Sequence, residues 1–128
     1  MDLLKELDLC IRSRFPLIGI LSYEEERIID GVIQLCEKRG DSCFMWDHAD
    51  FFQHLSGEGA PPRSAKDPLT ALEAIDKAEG SSLFLLRDFH QCWDRQPRIV
   101  RKLRNLAQRL KYTKKTIVIT TPAAAPGP

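Results

Sequence analysis

The chain has 128 residues, with 19 Lys or Arg against 18 Asp or Glu, a formal net charge of +1, and 43% hydrophobic residues. That is one domain's worth of chain, long enough to bury a core, and its near-neutral total gives no global reason to expect a nucleic acid or a membrane as partner. Cys10, Cys36, Cys43 and Cys92 show no CxxC pair and read as reduced thiols, no segment approaches a membrane span, and the charged N-terminus is unlike a signal peptide, so a cytoplasmic protein is expected.

Residues 2 to 13 carry Leu3, Leu4, Leu7, Cys10 and Ile11 at helical spacing, with Asp2 as a cap and Pro16 soon after the end. Leu17, Ile18, Ile20 and Leu21 then predict a short strand buried on both faces, followed within two residues by a helix pattern. The turn leaving a first strand is where α/β proteins usually hold phosphates, on bare amides at the helix N-terminus. Here that turn is filled. Ser22 is placed to cap, Glu25 stands three residues on to complete a capping box, and Glu24 and Glu26 add carboxylates that would repel a triphosphate.

Ile28, Ile29, Val32, Ile33 and Cys36 form the stripe of the next helix, which Gly40 stops, and Ser42 to Asp47 is a second strand. It hands over to the polar and aromatic residues 47–52, and Ser56 to Asp67, rich in Gly, Pro and Ser, predicts a mobile loop. Asp67-Pro68 starts a helix whose buried face is Leu69, Ala71, Leu72, Ile75 and Ala78. Leu83 to Leu86 is the most apolar run and predicts a central strand. Pro97 opens a helix with Ile99, Val100, Leu103, Leu106, Ala107 and Leu110 inward, and Thr116 to Thr121 is a fourth strand. The alternation predicts an α/β domain over residues 1–121, an open parallel sheet of about four strands with helices on both faces, and a Pro/Ala-rich tail or linker at 122–128. Four strands are few for this class, so one edge is expected to be completed by a further segment or a partner.

Residues 12–27 (RSRFPLIGILSYEEER), 67–75 (DPLTALEAI), 83–90 (LFLLRDFH), 100–107 (VRKLRNLA) and 115–122 (KTIVITTP) resemble, in the same order, the N-terminal region of AAA-type ATPases found in cyanobacteria and plastid genomes. The resemblance implies a degenerate AAA+ core, P-loop-NTPase-like but without a P-loop, with strand order second, third, fourth, first. It also implies that ATP and magnesium belong to a second, intact AAA+ domain, and that this chain carries no cofactor of its own. In place of GxxxxGK[ST], residues 22–27 have no phosphate-binding lysine, and Arg87 takes the position of the metal-orienting acid after a Walker B-like strand. Asp88 alone matches an acidic position, and Thr120 or Thr121 that of a polar sensor residue.

Three kinds of site are open to the sequence. Asp88, His90 and Thr121 could hold a nucleotide at strand ends, as an atypical site. Asp47, His48, Asp50, His54, Asp88, His90 and Cys92 could meet as metal ligands, although no pair has a recognised spacing, and Cys92 beside His48 or His90 lacks an orienting third residue for nucleophilic catalysis. Nine basic residues and no acid lie between Arg95 and Lys115, with Arg98, Arg101, Lys102, Arg104 and Arg109 the candidates for contact with a partner. The plain reading is a solvated helix face. The functional ones are an acidic protein surface, such as an AAA+ ATPase domain or another copy in an oligomer, or a nucleic acid at residues 97–111, for which only Tyr112 offers an aromatic platform. No catalytic residue is assigned, and the first reading is a non-catalytic structural or regulatory module.

Overall fold

The structure is a computed structural model that describes residues 3–22, 24–59 and 65–122. Its elements in order are α1 (Leu3–Arg12), β1 (Leu17–Ser22), α2 (Glu25–Arg39), β2 (Ser42–Asp47), β3 (Phe51–Ser56), α3 (Pro68–Lys77), β4 (Ser82–Arg87), a 3-10 turn (Phe89–Cys92), α4 (Pro97–Leu110) and β5 (Lys115–Pro122). One sheet of order β1-β5-β4-β2-β3 organises them, parallel except for β3, which runs antiparallel to β2.

Successive side chains of a strand face opposite ways, and this sheet uses both faces for core. Phe44, Trp46, Phe84, Leu86, Ile117 and Ile119 point toward α3 and α4, where Ala71, Leu72, Ile75, Ile99, Leu103, Leu106 and Leu110 are buried. Cys43, Met45, Leu83, Leu85 and Val118 point toward α1 and α2 and meet Leu7, Ile11, Ile28, Val32 and Cys36. The four cysteines are free thiols.

The helix ends follow local chemistry. Asp67 accepts from the Thr70 amide at 2.9 Å and Pro68 opens α3, as its sequence predicts. Gly40 ends α2 at φ 78°, where its amide donates to Glu37 O and that of Asp41 to Cys36 O, closing the left-handed stop.

The strand order is the expected one with an addition. Residues 47–52 do not simply lead into a loop. Asp47 Oδ1 accepts from the amides of Ala49 and Asp50 at 2.9 and 2.7 Å, and Phe51 takes φ 59°, so the chain reverses and lays β3 along β2. That strand completes one edge from within the chain. Of the expected loop, Ser56 ends β3 and Ala65 is buried, accepting from Trp46 Nε1 at 2.8 Å; positions 60–64, like 123–128 of the expected tail, lie outside the described residues.

Candidate functional site

The parallel strands β1, β5, β4 and β2 end together beside the first turn of α2, the usual ligand end of such a sheet. The expected capping box does not form there. Ser22 Oγ accepts from the Glu24 amide at 3.0 Å, Glu24 holds the cap position without a side-chain cap bond, and Glu25 turns away to a different partner. Sheet register explains why. Arg87, at the end of β4, stands one residue past the Trp46–Leu86 pair and so lies beside Asp47 of β2, on the face that α2 covers. Its Nε donates to Glu25 Oε1 at 2.8 Å, its Nη2 reaches the same oxygen, and its Nη1 reaches Asp47 Oδ2 at 3.4 Å. With side chains 31%, 21% and 14% exposed, the three groups form a half-buried charge cluster whose excess is one negative charge.

This arrangement has a definite chemistry. A phosphate entering the turn would meet Glu24, Glu25 and Glu26 and would have to compete with two carboxylates for Arg87, a cation already engaged. Asp47 is engaged as well, by the guanidinium on one oxygen and two amides on the other.

The other sequence candidates are partly gathered. Thr121 Oγ1 lies 3.4 Å from His90 Nδ1, while Asp88, at φ 58°, donates its amide to Thr120 O and buries Oδ1 with no hydrogen-bond partner among the described residues. Thr120 Oγ1 is buried in the same unpartnered state. His48 Nε2 lies 3.1 Å from Cys92 Sγ and stacks edge-on against Trp46, but burial pushes the Cys92 thiol up to about 11, away from a reactive thiolate. His54 is carried to the opposite end of the sheet by β3, where Nε2 meets Gly57 O at 2.7 Å, and Asp50 stays in the exposed turn. Among the described residues no three His, Cys, Asp or Glu side chains are grouped to hold a metal ion.

The basic segment divides in two. Arg109 grips Asp76 of α3 through Nε at 3.2 Å and Nη2 at 2.7 Å, and Lys102 approaches the same carboxylate at 3.6 Å. The Asp76 carboxyl is held below its usual range, first by the Arg109 hydrogen bond. Lys115 is no surface charge at all, being 7% exposed and donating through Nζ to Ile75 O, Asp76 O and Ala78 O at 2.8, 3.0 and 2.8 Å, which closes the C-terminus of α3. Arg98 and Arg104 remain exposed, and Arg101 is engaged by Asn105 at 2.6 and 3.0 Å.

Residues 3–127 match the family described as SpoVK-like AAA ATPase, N-terminal domain. The chain belongs to that family. It is 37% identical over 124 residues to the Guillardia theta protein named uncharacterized AAA domain-containing protein ycf46, covering 93% of this chain and 24% of that one. Proteins of the same name from Pyropia yezoensis and Trieres chinensis are 32% and 36% identical, covering 93% and 89% of this chain and 24% and 23% of theirs. The chain thus spans about a quarter of the length of these relatives. No solved structure matches. The resemblance noted in the sequence is therefore real, and the mixed sheet with helices on both faces fits an AAA+-like fold. Among the described residues of this N-terminal domain no helix is long and apolar enough to cross a membrane.

The Glu25–Arg87–Asp47 cluster was not read from the sequence. Its signal was present: opposite charges at the ends of two strands whose predicted order makes them neighbours, and a glutamate in the adjoining helix turn.

Proposed function

We propose that this domain is a non-catalytic AAA+-like module that acts structurally or regulatorily by docking on an ATPase domain or on other copies in an oligomer. The observation that carries the reading is the ion cluster at the ligand end of the sheet. In a working P-loop protein the turn after the first strand supplies amides and a lysine to the phosphates, and an acid at the end of a neighbouring strand holds magnesium. Here the turn supplies Glu25, the strand end supplies Arg87, and the two neutralise each other. ATP and magnesium are then the business of a second domain in the longer family members. The exposed arginines 98, 101 and 104 suit a docking face for an acidic protein surface.

Calorimetric titration of the isolated chain with ATP and ADP in magnesium tests this, and no saturable heat is expected. A second reading, an atypical nucleotide site, draws on the unpartnered Asp88 carboxylate oxygen near the His90–Thr121 contact. Saturable binding that Asp88→Ala removes would establish that reading in place of the first.

A further inference from the structure

We propose that Cys36 and Cys43 are a redox pair that closes to a disulfide on exposure to a peroxide, tying the C-terminal end of α2 to β2. This goes beyond the docking reading above and uses none of its residues. Cys36 is the last buried residue of α2, Cys43 lies on the face of β2 that α2 covers, and both belong to the core between them. They are 1% and 0% exposed. Residues 37–42 alone join them. The left-handed stop at Gly40 folds that connection back at once, and the Asp41 amide donates to Cys36 O at 2.9 Å, so the backbone itself brings the two thiols together.

Their surroundings suit a reacting pair. The Cys36 thiol is pushed well above its ordinary range, first by its hydrogen bond with Cys43 and then by burial, whereas at Cys92 burial is the whole cause. Cys36 thus keeps its proton, and the attack falls to Cys43. Ser56 offers a second donor. It stands opposite Cys43 in the β2–β3 register, and its buried hydroxyl has no partner among the described residues. An unpaired hydroxyl in a core is costly, and a thiolate at Cys43 is an acceptor for it.

The step balances with the peroxide as oxidant. The Cys43 thiolate attacks one peroxide oxygen, the O–O bond breaks, and hydroxide leaves and takes up the thiol proton as water. The Cys36 sulfur then attacks the sulfenic acid so formed, and its proton departs with the hydroxyl group as a second water. Two electrons have left the sulfurs and reduced the peroxide. The oxidant gains entry when the last turn of α2 frays, where residues 37–40 are exposed, so the reaction is slow and the resting form is the dithiol. The new bond fastens α2 at the end opposite its Glu25–Arg87 contact.

Incubating the folded 128-residue chain with hydrogen peroxide, then unfolding it, alkylating the remaining thiols and mapping the peptides by mass, tests the proposal. A linked peptide pair holding Cys36 and Cys43 is expected, absent in Cys36→Ala and retained in a Cys10→Ser, Cys92→Ser double variant whose fold circular dichroism verifies. The oxidised chain should melt about 5 °C or more above the reduced one, because a loop is closed without distorting the fold, and dithiothreitol should reverse the rise. Four free thiols after peroxide, or oxidation confined to Cys10, overturns the proposal. So does a linked chain that melts below the reduced one, or a linkage that forms only in urea, since either would place the bond outside the native fold. None of these outcomes depends on nucleotide or on a docking partner, so the reading of the closed phosphate turn stands or falls separately.

Discussion

Arg87 is the residue on which the ligand end of the sheet turns. Its guanidinium separates Glu25 from Asp47, so removing it does more than delete two ion pairs: it leaves two half-buried carboxylates facing each other. Arg87→Met is therefore expected to destabilise the domain by about 1–2 kcal/mol, a figure reduced for the partial exposure of the cluster, as read from the urea midpoint. Glu25→Gln should cost less, since Arg87 keeps Asp47, and the double variant should reveal a coupling between the two sites. Ser22→Ala should stay within about 0.5 kcal/mol, because the single bond it loses lies at an exposed turn. A Ser22 effect larger than that of Arg87 would restore the capping box as the organising feature of this turn.

At the scale of elements, α3 is the helix with both ends built by side chains. Asp67 begins it and Lys115, reaching from β5, ends it. Asp67→Ala is expected to cost about 0.5–2 kcal/mol, the usual range for a lost cap. Lys115→Met should cost about 1–3 kcal/mol by chemical denaturation, since three carbonyls lose the ammonium in a place that water reaches poorly and Ile75 O keeps only the Ala78 amide at 3.2 Å. Burial pushes the Lys115 ammonium below its ordinary range, a direction that fits its enclosed position. Acid should loosen the same helix. The Asp67 carboxyl is held down chiefly by the Thr70 amide and that of Asp76 chiefly by Arg109, so both bind protons more readily when unfolded. Their contribution is present above the ordinary value of 3.8 and is lost as pH falls below it, and a thermal melt series should show this loss shrinking in Asp67→Asn and Asp76→Asn variants. The start of α3 was legible because Asp-Pro is a local signal, complete within four residues. Its end was legible in place, with Ala78 as the last inward residue before Gly80, but the side chain that closes it was not, because the donor lies 37 residues later. For the same reason Lys115 was first counted among the surface cations, when its position in a buried strand is what decides its partners.

For the whole molecule, the two-faced core was legible, since apolar runs alternating with amphipathic helices admit few other arrangements, whereas the strand order followed from the family resemblance. β3 escaped because Phe51–Ser56 is half-buried and follows a polar turn, so its pattern is weak and its existence depends on Asp47 folding the chain back. The candidate site escaped because it joins residues from three separate elements. The docking face can be tested on the arginines that the fold leaves outermost. Reversing Arg101 and Arg104 to Glu should abolish capture of the cognate ATPase domain in a pull-down while the circular dichroism spectrum is kept, whereas Lys102 and Arg109, being tied to Asp76, would confuse binding with stability. The charge exchange at Arg87 also bears on how this domain can change over time. An acid at position 87 alone would place a third carboxylate beside Glu25 and Asp47 with no cation between them, and a glycine at position 25 alone would leave Arg87 with Asp47 as its one remaining carboxylate among the described residues. Each single change toward the charge pattern of a nucleotide site passes through a less stable protein, so positions 25 and 87 are bound to change together or not at all.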